Sequence, residues 1–331
     1  MREVPNVARL GDGVWSLPVP IPDNPLGYTL VYALATPHGP VLVDAGWNHE
    51  ESWQALTTGL ESIGSNVEDV HGVILTHFHP DHSGLAERIR ATSGAWIAAH
   101  QADADLVRRI AALSGAEQSE LELAQLRRAG ASSEEIAEYA QLEPRIDPPP
   151  LPDHELSHGD TLDISGAKLR VIWTPGHAPG HVCLHLEDSG FLFLGDHVLP
   201  RITPHIGLFP FDDEHDPLGS FLDSLEQIST VDAWALPAHE QPFTDLAART
   251  TEIIDHHEER LSTLSAALSP SPATLWELVV NLPWRKGWEN MHTFARRMAA
   301  SETAAHMRTL ERRERALREH GPDGVVRWTS P

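Results

Sequence analysis

The chain has 331 residues, long enough for a core of roughly 200 residues or more and a smaller module beside it. Its 48 acidic residues against 24 basic ones leave a net charge of −24, which repels polyphosphate and disfavours nucleic acid as a bulk partner. The single cysteine, Cys183, excludes an internal disulfide framework, and no run of about 18 apolar residues predicts a membrane span.

The start, "MREVPNVARLGDGVW", lacks the apolar centre of a signal peptide, so the expectation is a soluble protein of the reducing cytoplasm. "YTLVYALAT" and "PVLVDAG" then read as a β-hairpin around "PHG", ending at Gly46. Trp53, Leu56, Leu60 and Ile63 repeat with helical spacing. "HGVILT" is a short buried strand running into "HFHPDHSG", and Ser83 is placed to cap a helix from about Gly84 to Ala91 that ends near Gly94.

From about Gln101 to Leu142 the pattern turns to charged, alanine-rich helices, closed by "EPRIDPPPLP". This stretch, about 101–150 with its loop, reads as a helical insertion. The apolar faces carrying Leu106, Ile110, Leu121 and Leu126 need a partner surface, so a lid or an oligomer contact is expected there. Strands resume in "AKLRVIWTPGH", "HVCLHLE" and "GFLFLGD", followed by the helix "DPLGSFLDSLEQI" and the strand "VDAWALPAHE". Interleaved strands and helices argue for an α/β core.

A long helix is expected from beyond Pro242 to about Leu268, and "SPSP" marks a boundary. The expected division is 1–270 for the main domain and 271–331 for a small module with the helix "SETAAHMRTLERRERALRE" and a last strand, "GVVRWTS". From Asn281 onward there are ten basic and six acidic residues, a local net charge of +4.

"LTHFHPDHSG" crowds potential metal ligands. His77 and His79 flank Phe78, so at a strand end they project the same way and can grip one metal. Asp81 and His82, beyond the turn made by Pro80, can face a second metal across the same loop. A histidine-rich surface loop would leave this cluster alone in the sequence. Instead His177 in "TPGHAPGH", Asp196 in "LFLGDH" and His239 in "LPAHE" also stand at strand ends.

In that order these motifs resemble the metallo-β-lactamase superfamily, whose signature is H-x-H-x-D-H followed by distant His, Asp and His. The likeness covers about Val14 to Arg260. It implies an αββα sandwich with the site at the edge of two stacked sheets. It further implies a first metal on His77, His79 and His177, a second on Asp81, His82 and His239, and Asp196 bridging both. The implied reaction is hydrolysis by a hydroxide shared between two ions, with Asp81 as the catalytic residue that orients it and accepts its proton. Two zinc ions are expected, with iron or manganese as alternatives.

Asp44 in "LVDAG" matches an aspartate that the family keeps behind the site, and a simple turn role is the alternative. His181 reads equally as a hydrogen-bonding support or a structural residue. His197 and His205 fall where the family lines its substrate pocket, though a packed or solvated histidine is the simpler reading. His256 and His257 are expected to be exposed, and Cys183 to lie in the core.

The aspartate at the bridging position and the absence of an export signal point away from β-lactams. The closest resemblance is to the glyoxalase II-like branch, thioester hydrolases with the same seven ligands. The C-terminal segment is similar to the winged-helix-type module of mitochondrial lactamase-like endoribonucleases. A small acyl or thioester substrate is therefore expected, with a phosphodiesterase or lactonase as alternatives. Arg285 and Lys286, in "PWRKGW", are candidates to meet an anionic group. A helix-turn-helix reader is disfavoured by the modest +4 charge, and packing on the core or a twin subunit, as a homo-oligomer, is expected instead.

Overall fold

The computed structural model describes residues 3–141, 148–164, 166–210, 215–284 and 287–331. Arg285, Lys286 and the first half of the proline-rich loop lie outside the described residues.

Among the described residues the helices are α1 (Glu50–Ser62), α2 (Pro80–Ser83), α3 (Ala86–Ser93), α4 (Gln101–Ala111), α5 (Gly115–Arg128), α6 (Ser133–Tyr139), α7 (Pro217–Ser229), α8 (Leu246–Ala267), α9 (Leu275–Val280) and α10 (Thr293–Arg312). A seven-stranded sheet follows chain order: β1 (Ala8–Gly11), β2 (Val14–Pro20), β3 (Tyr28–Leu34), β4 (Val41–Val43), β5 (Gly72–Ile74), β6 (Trp96–His100) and β7 (His154–Leu156). Its first four strands are antiparallel, whereas β4 to β7 run parallel. A five-stranded sheet holds β8 (Thr161–Ile164), β9 (Ala167–Trp173), β10 (Val182–Leu186), β11 (Phe191–Gly195) and β12 (Trp234–Pro237). The β11–β12 pair is parallel, which requires a crossover, and α7 lies within it.

Why two sheets stack is legible in β3. Tyr28, Leu30, Tyr32 and Leu34 alternate onto one face and pack with Val171, Val182, Leu184 and Phe193 of the five-stranded sheet. Val31 and Ala33 point the other way, into a cluster with Leu56 and Leu60 of α1 and Ile89 of α3. The five-stranded sheet also buries its other face, through Ile172, Cys183, Leu192 and Leu194. Ser224 on α7 donates its hydroxyl to the Pro175 carbonyl at 3.1 Å. Helix, sheet, sheet and helix layers follow, as expected for an αββα sandwich.

The chain divides into two compact units that are discontinuous in sequence: 1–111 with 146–204 and 224–250, and 112–145 with 205–223 and 251–331. The sequence reading placed one cut near 270 instead, because hydrophobic periodicity carries no record of which distant segments meet. The helical stretch beginning at Gln101 is likewise split. α4 belongs to the first unit, with Leu106 and Ile110 buried there. α5 and α6 belong to the second unit, where Glu122 and Glu135 pair with Arg297 and Arg296 of α10 at 3.2 and 3.0 Å. The second unit also holds α9 and an antiparallel sheet of β13 (Ala273–Thr274), β14 (Leu317–His320) and β15 (Val326–Thr329), ordered β13-β15-β14.

Three local expectations change. Ser83 does not cap the helix after the histidine motif: it closes α2, and its hydroxyl donates to the carbonyls of Phe78 and His79 at 2.8 and 3.0 Å. The helix read over "SETAAHMRTLERRERALRE" stops at Arg312, Glu314 takes a positive φ of 57°, and "LREH" pairs with β15 as a strand. His256 is exposed as expected, but His257 is fully buried in the second unit beside His306.

Candidate metal centre

Four of the predicted ligands lie just beyond strands, whereas His79 caps α2 and Asp81 and His82 sit on it. His77 follows β5, His177 follows β9, Asp196 follows β11 and His239 follows β12. The strand ends of the two sheets are stitched together around them. Val182 donates its N–H to the Thr76 carbonyl at 2.9 Å and Leu30 donates to Ala238 at 2.7 Å. The Tyr32 hydroxyl donates to the Pro237 carbonyl at 2.6 Å. Residues more than 160 positions apart thus converge on one rim.

All seven predicted residues meet there. Their ligand atoms form three sets: His77, His79 and His177; Asp81, His82 and His239; and His77, His82 and Asp196, with atoms within 4.8 Å of one another in each. Asp196 stands between the sets. Its Oδ2 is 3.6 Å from His177 Nε2, while its Oδ1 is 3.6 Å from His82 Nε2 and 3.3 Å from His239 Nε2. Asp81 Oδ2 is 3.3 Å from His239 Nε2 and 3.7 Å from His82 Nε2.

His82 Nε2, His239 Nε2 and Asp196 Oδ1 are buried and make no hydrogen bond among the described residues. Leaving such groups unsatisfied costs about 1–3 kcal/mol each. A shared metal ion would satisfy them, and imidazole nitrogen with carboxylate oxygen suits zinc, iron or manganese. The residues present therefore fit a metal.

The tautomers agree with ligation. His239 Nδ1 donates to the Tyr28 carbonyl at 2.8 Å, and His82 Nδ1 donates to Asp44 Oδ2 at 2.7 Å, which aims each Nε2 at the centre. Asp44 is buried, with φ 65°, and its Oδ1 also accepts from the Thr76 amide at 2.8 Å. It supports the site and does not merely form a turn.

Burial, reinforced by neighbouring imidazoles, holds His77 well below the ordinary histidine range and His79 at about 3. These rings are neutral, the form that ligates. Burial also opposes charge on His82 and His239, yet Asp44, Asp81 and Asp196 raise His82 well above its ordinary value. Asp196 and Asp81 likewise raise His239 to about 10. In return, His82 and His239 outweigh burial to hold Asp81 at about 2 and Asp196 well below the carboxylate range. Without a cation, protons on two imidazoles balance two carboxylates, and a metal would displace those protons.

His181 is a support and not a ligand. Its Nε2 accepts the Asp196 amide at 3.1 Å, which requires the proton on Nδ1, 2.8 Å from the Thr174 hydroxyl. His197 is fully buried, and His205 lies in the second unit with Nδ1 3.8 Å from Glu302. Cys183 is a core residue whose thiol burial pushes up to about 12.

The sequence reading missed Asp103. On the first turn of α4 and 2% exposed, it accepts the amides of Phe78 at 2.8 Å and Gly180 at 2.6 Å. An acidic residue at a helix start is common enough that nothing in "HQADADL" singles it out.

A family model described as the Metallo-beta-lactamase superfamily matches residues 24–263, spanning all seven candidate ligand positions. The chain belongs to the metallo-β-lactamase superfamily. Among solved structures of superfamily members, a metallo-beta-lactamase family protein from Thermus thermophilus is 33% identical, with a TM-score of 0.79 over 98% of this chain and 100% of that one. A beta-lactamase domain protein from Burkholderia ambifaria is 26% identical, with a TM-score of 0.80 over 98% and 93%. The lactamase-like protein adaB of Aspergillus niger is 28% identical over 251 residues, 75% of this chain and 61% of its own length. AptB of Emericella nidulans is 26% identical over 252 residues, 74% and 62%. The chain thus spans less than two thirds of the length of these fungal relatives. The metallo-β-lactamase fold is generally hydrolytic and metal-dependent, and the histidine–aspartate cluster supplies residues that could hold a metal.

Proposed function

We propose that this superfamily hydrolase is binuclear and cleaves a thioester or a related small acyl compound. The observation that carries the two-ion reading is Asp196, whose two oxygens face different histidine sets across one centre. His77, His79 and His177 would hold one ion and Asp81, His82 and His239 the other, with zinc as the proposed metal. When bound, such a pair lowers the pKa of a shared water to roughly 7 and polarises the substrate oxygen.

The chain's own residues do the rest. Asp81, held as a carboxylate, orients the attacking water and accepts its proton. Asp44 and the Tyr28 carbonyl keep the rings of His82 and His239 turned toward the reacting centre. No serine or cysteine nucleophile is needed, and Cys183 is withdrawn into the core.

The choice of acyl chemistry rests on the glyoxalase II-like ligand set and on the acidic surface, which disfavours RNA. Helix α10, the candidate reader in the C-terminal segment, buries Ala299, Ala300, Thr303 and every position from Ala305 to Leu310, and this supports a packing role. We further propose a winged-helix-type C-terminal module, a cytoplasmic location and a homo-oligomer. Among the described residues no helix is long and apolar enough to cross a membrane.

The test is hydrolysis of an acyl thioester, a lactone, a phosphodiester and a β-lactam side by side by zinc-loaded protein, with Asp81→Asn as control. Thioester turnover that disappears in the variant is expected. Preferential phosphodiester turnover would replace this reading with a nuclease, and a stoichiometry of one metal per chain would end the two-ion reading.

A further inference from the structure

We propose that Asp103 is a positioning residue dedicated to the three-histidine half of the metal centre: one buried carboxylate that fixes the spacing between two loops carrying ligands of the same ion. This inference rests on the binuclear reading above.

The geometry is specific. Asp103 Oδ2 accepts the amide of Phe78, the residue between His77 and His79, at 2.8 Å. Its Oδ1 accepts the amide of Gly180, three positions beyond His177, at 2.6 Å. The two contacts are 25 and 77 residues away in sequence, so no local turn sets their separation. Phe78 sits between His77 and His79, on a loop that continues into Asp81 and His82, and Gly180 follows His177; the carboxylate makes no hydrogen bond to Asp81, His82 or His239.

Close approach is built into the partner loop as well. A Cβ on Gly180 would fall 2.4 Å from the Asp103 amide nitrogen and 2.7 Å from its Cβ, so a larger residue there would drive the loop away from α4. α4 in turn starts directly at the end of β6, which anchors the carboxylate to the sheet.

Asp44 serves the other side. It binds His82 Nδ1 directly and the amide of Thr76, reaching His77 only through the Thr76 hydroxyl, 3.1 Å from His77 Nδ1. Two buried carboxylates thus support the centre from different elements, one through an imidazole and one through main-chain amides. Outer partners of metal ligands typically set affinity by 10–100-fold.

The experiment is a two-step zinc titration against a competing chelator on the full chain, for the parent and for Asp103→Asn, Asp103→Ala and Gly180→Ala, with melting temperatures of the metal-free proteins. Asparagine can still accept one amide but presents an NH2 group to the other, so it should lie between parent and alanine. The expected result is one dissociation constant weakened about 10–100-fold in Asp103→Ala and Gly180→Ala, with the other changed less than about threefold. A cobalt-substituted protein should lose the absorption of one site only. Equal loss of both ions in step with the melting temperature, or no change in either, would overturn the assignment to one half. If the parent itself binds a single ion, the binuclear reading falls instead, which keeps the two failures distinguishable.

Discussion

At the scale of single residues, the centre depends on contacts that leave no room for substitution behind it. Gly195 precedes Asp196 with φ 51°, and a Cβ there would lie 2.7 Å from His181 Nε2 and 2.8 Å from the Thr76 side chain. Gly195→Ala should therefore strain both the backbone and the two groups that hold Asp196 and Asp44 in place. A loss of about 1–3 kcal/mol in denaturant unfolding is expected, with weakened binding of both metals. The seven candidate ligands were legible because the spacing and strand-end context of such residues are constrained by coordination itself. Asp103 was not, since a buried carboxylate that binds amides has the same one-letter signature as a solvated helix start. His257 escaped for a similar reason: its neighbour His256 is exposed and shares its composition.

At the scale of elements, the packing of α8 on α10 inside the second unit holds a proton-sensitive contact. His306 Nδ1 must donate to the Glu302 carbonyl, 2.8 Å away, so its Nε2 is the lone-pair side and accepts from His257 Nδ1 at 3.1 Å. Adding a proton to His306 would set two N–H groups against each other. Burial, with His306 beside it, holds His257 at about 3, and burial also lowers His306, although Glu302 opposes both. Arg260 adds positive field, and His256 does so where it is protonated. Unfolded histidine titrates near 6.5. The unfolded chain thus takes up the proton first, so this contribution to stability is intact above about pH 6.5 and is lost as the pH falls toward 3. Melting temperatures of the metal-free protein across that window should drop less steeply in His257→Phe than in the parent. Equal slopes would show that the pair does not govern the transition. The helix periodicity of α8 and α10 was legible in the sequence, but which face meets which partner was not, because amphipathic faces carry no address.

At the scale of the whole molecule, buried imidazoles and carboxylates converge with ligand atoms that a cation could satisfy together, so metal should act as a folding ligand. Zinc at about a hundred times its dissociation constant should add about 2.7 kcal/mol to stability. Calorimetry of chelated and zinc-saturated protein checks this, and an unchanged melting temperature would contradict the site. The amino-acid sequence by itself indicated the α/β class, the candidate ligand set and the net negative charge, because each follows from local periodicity, spacing or composition. Only the tertiary structure decided that the helices after β6 divide between two units, that "LREH" becomes a strand and that Asp103 ties together two loops carrying candidate ligands. Those outcomes depend on contacts between segments up to 77 residues apart and more, whose energies come from packing and from satisfying buried polar groups, and neither is encoded in any one stretch of chain.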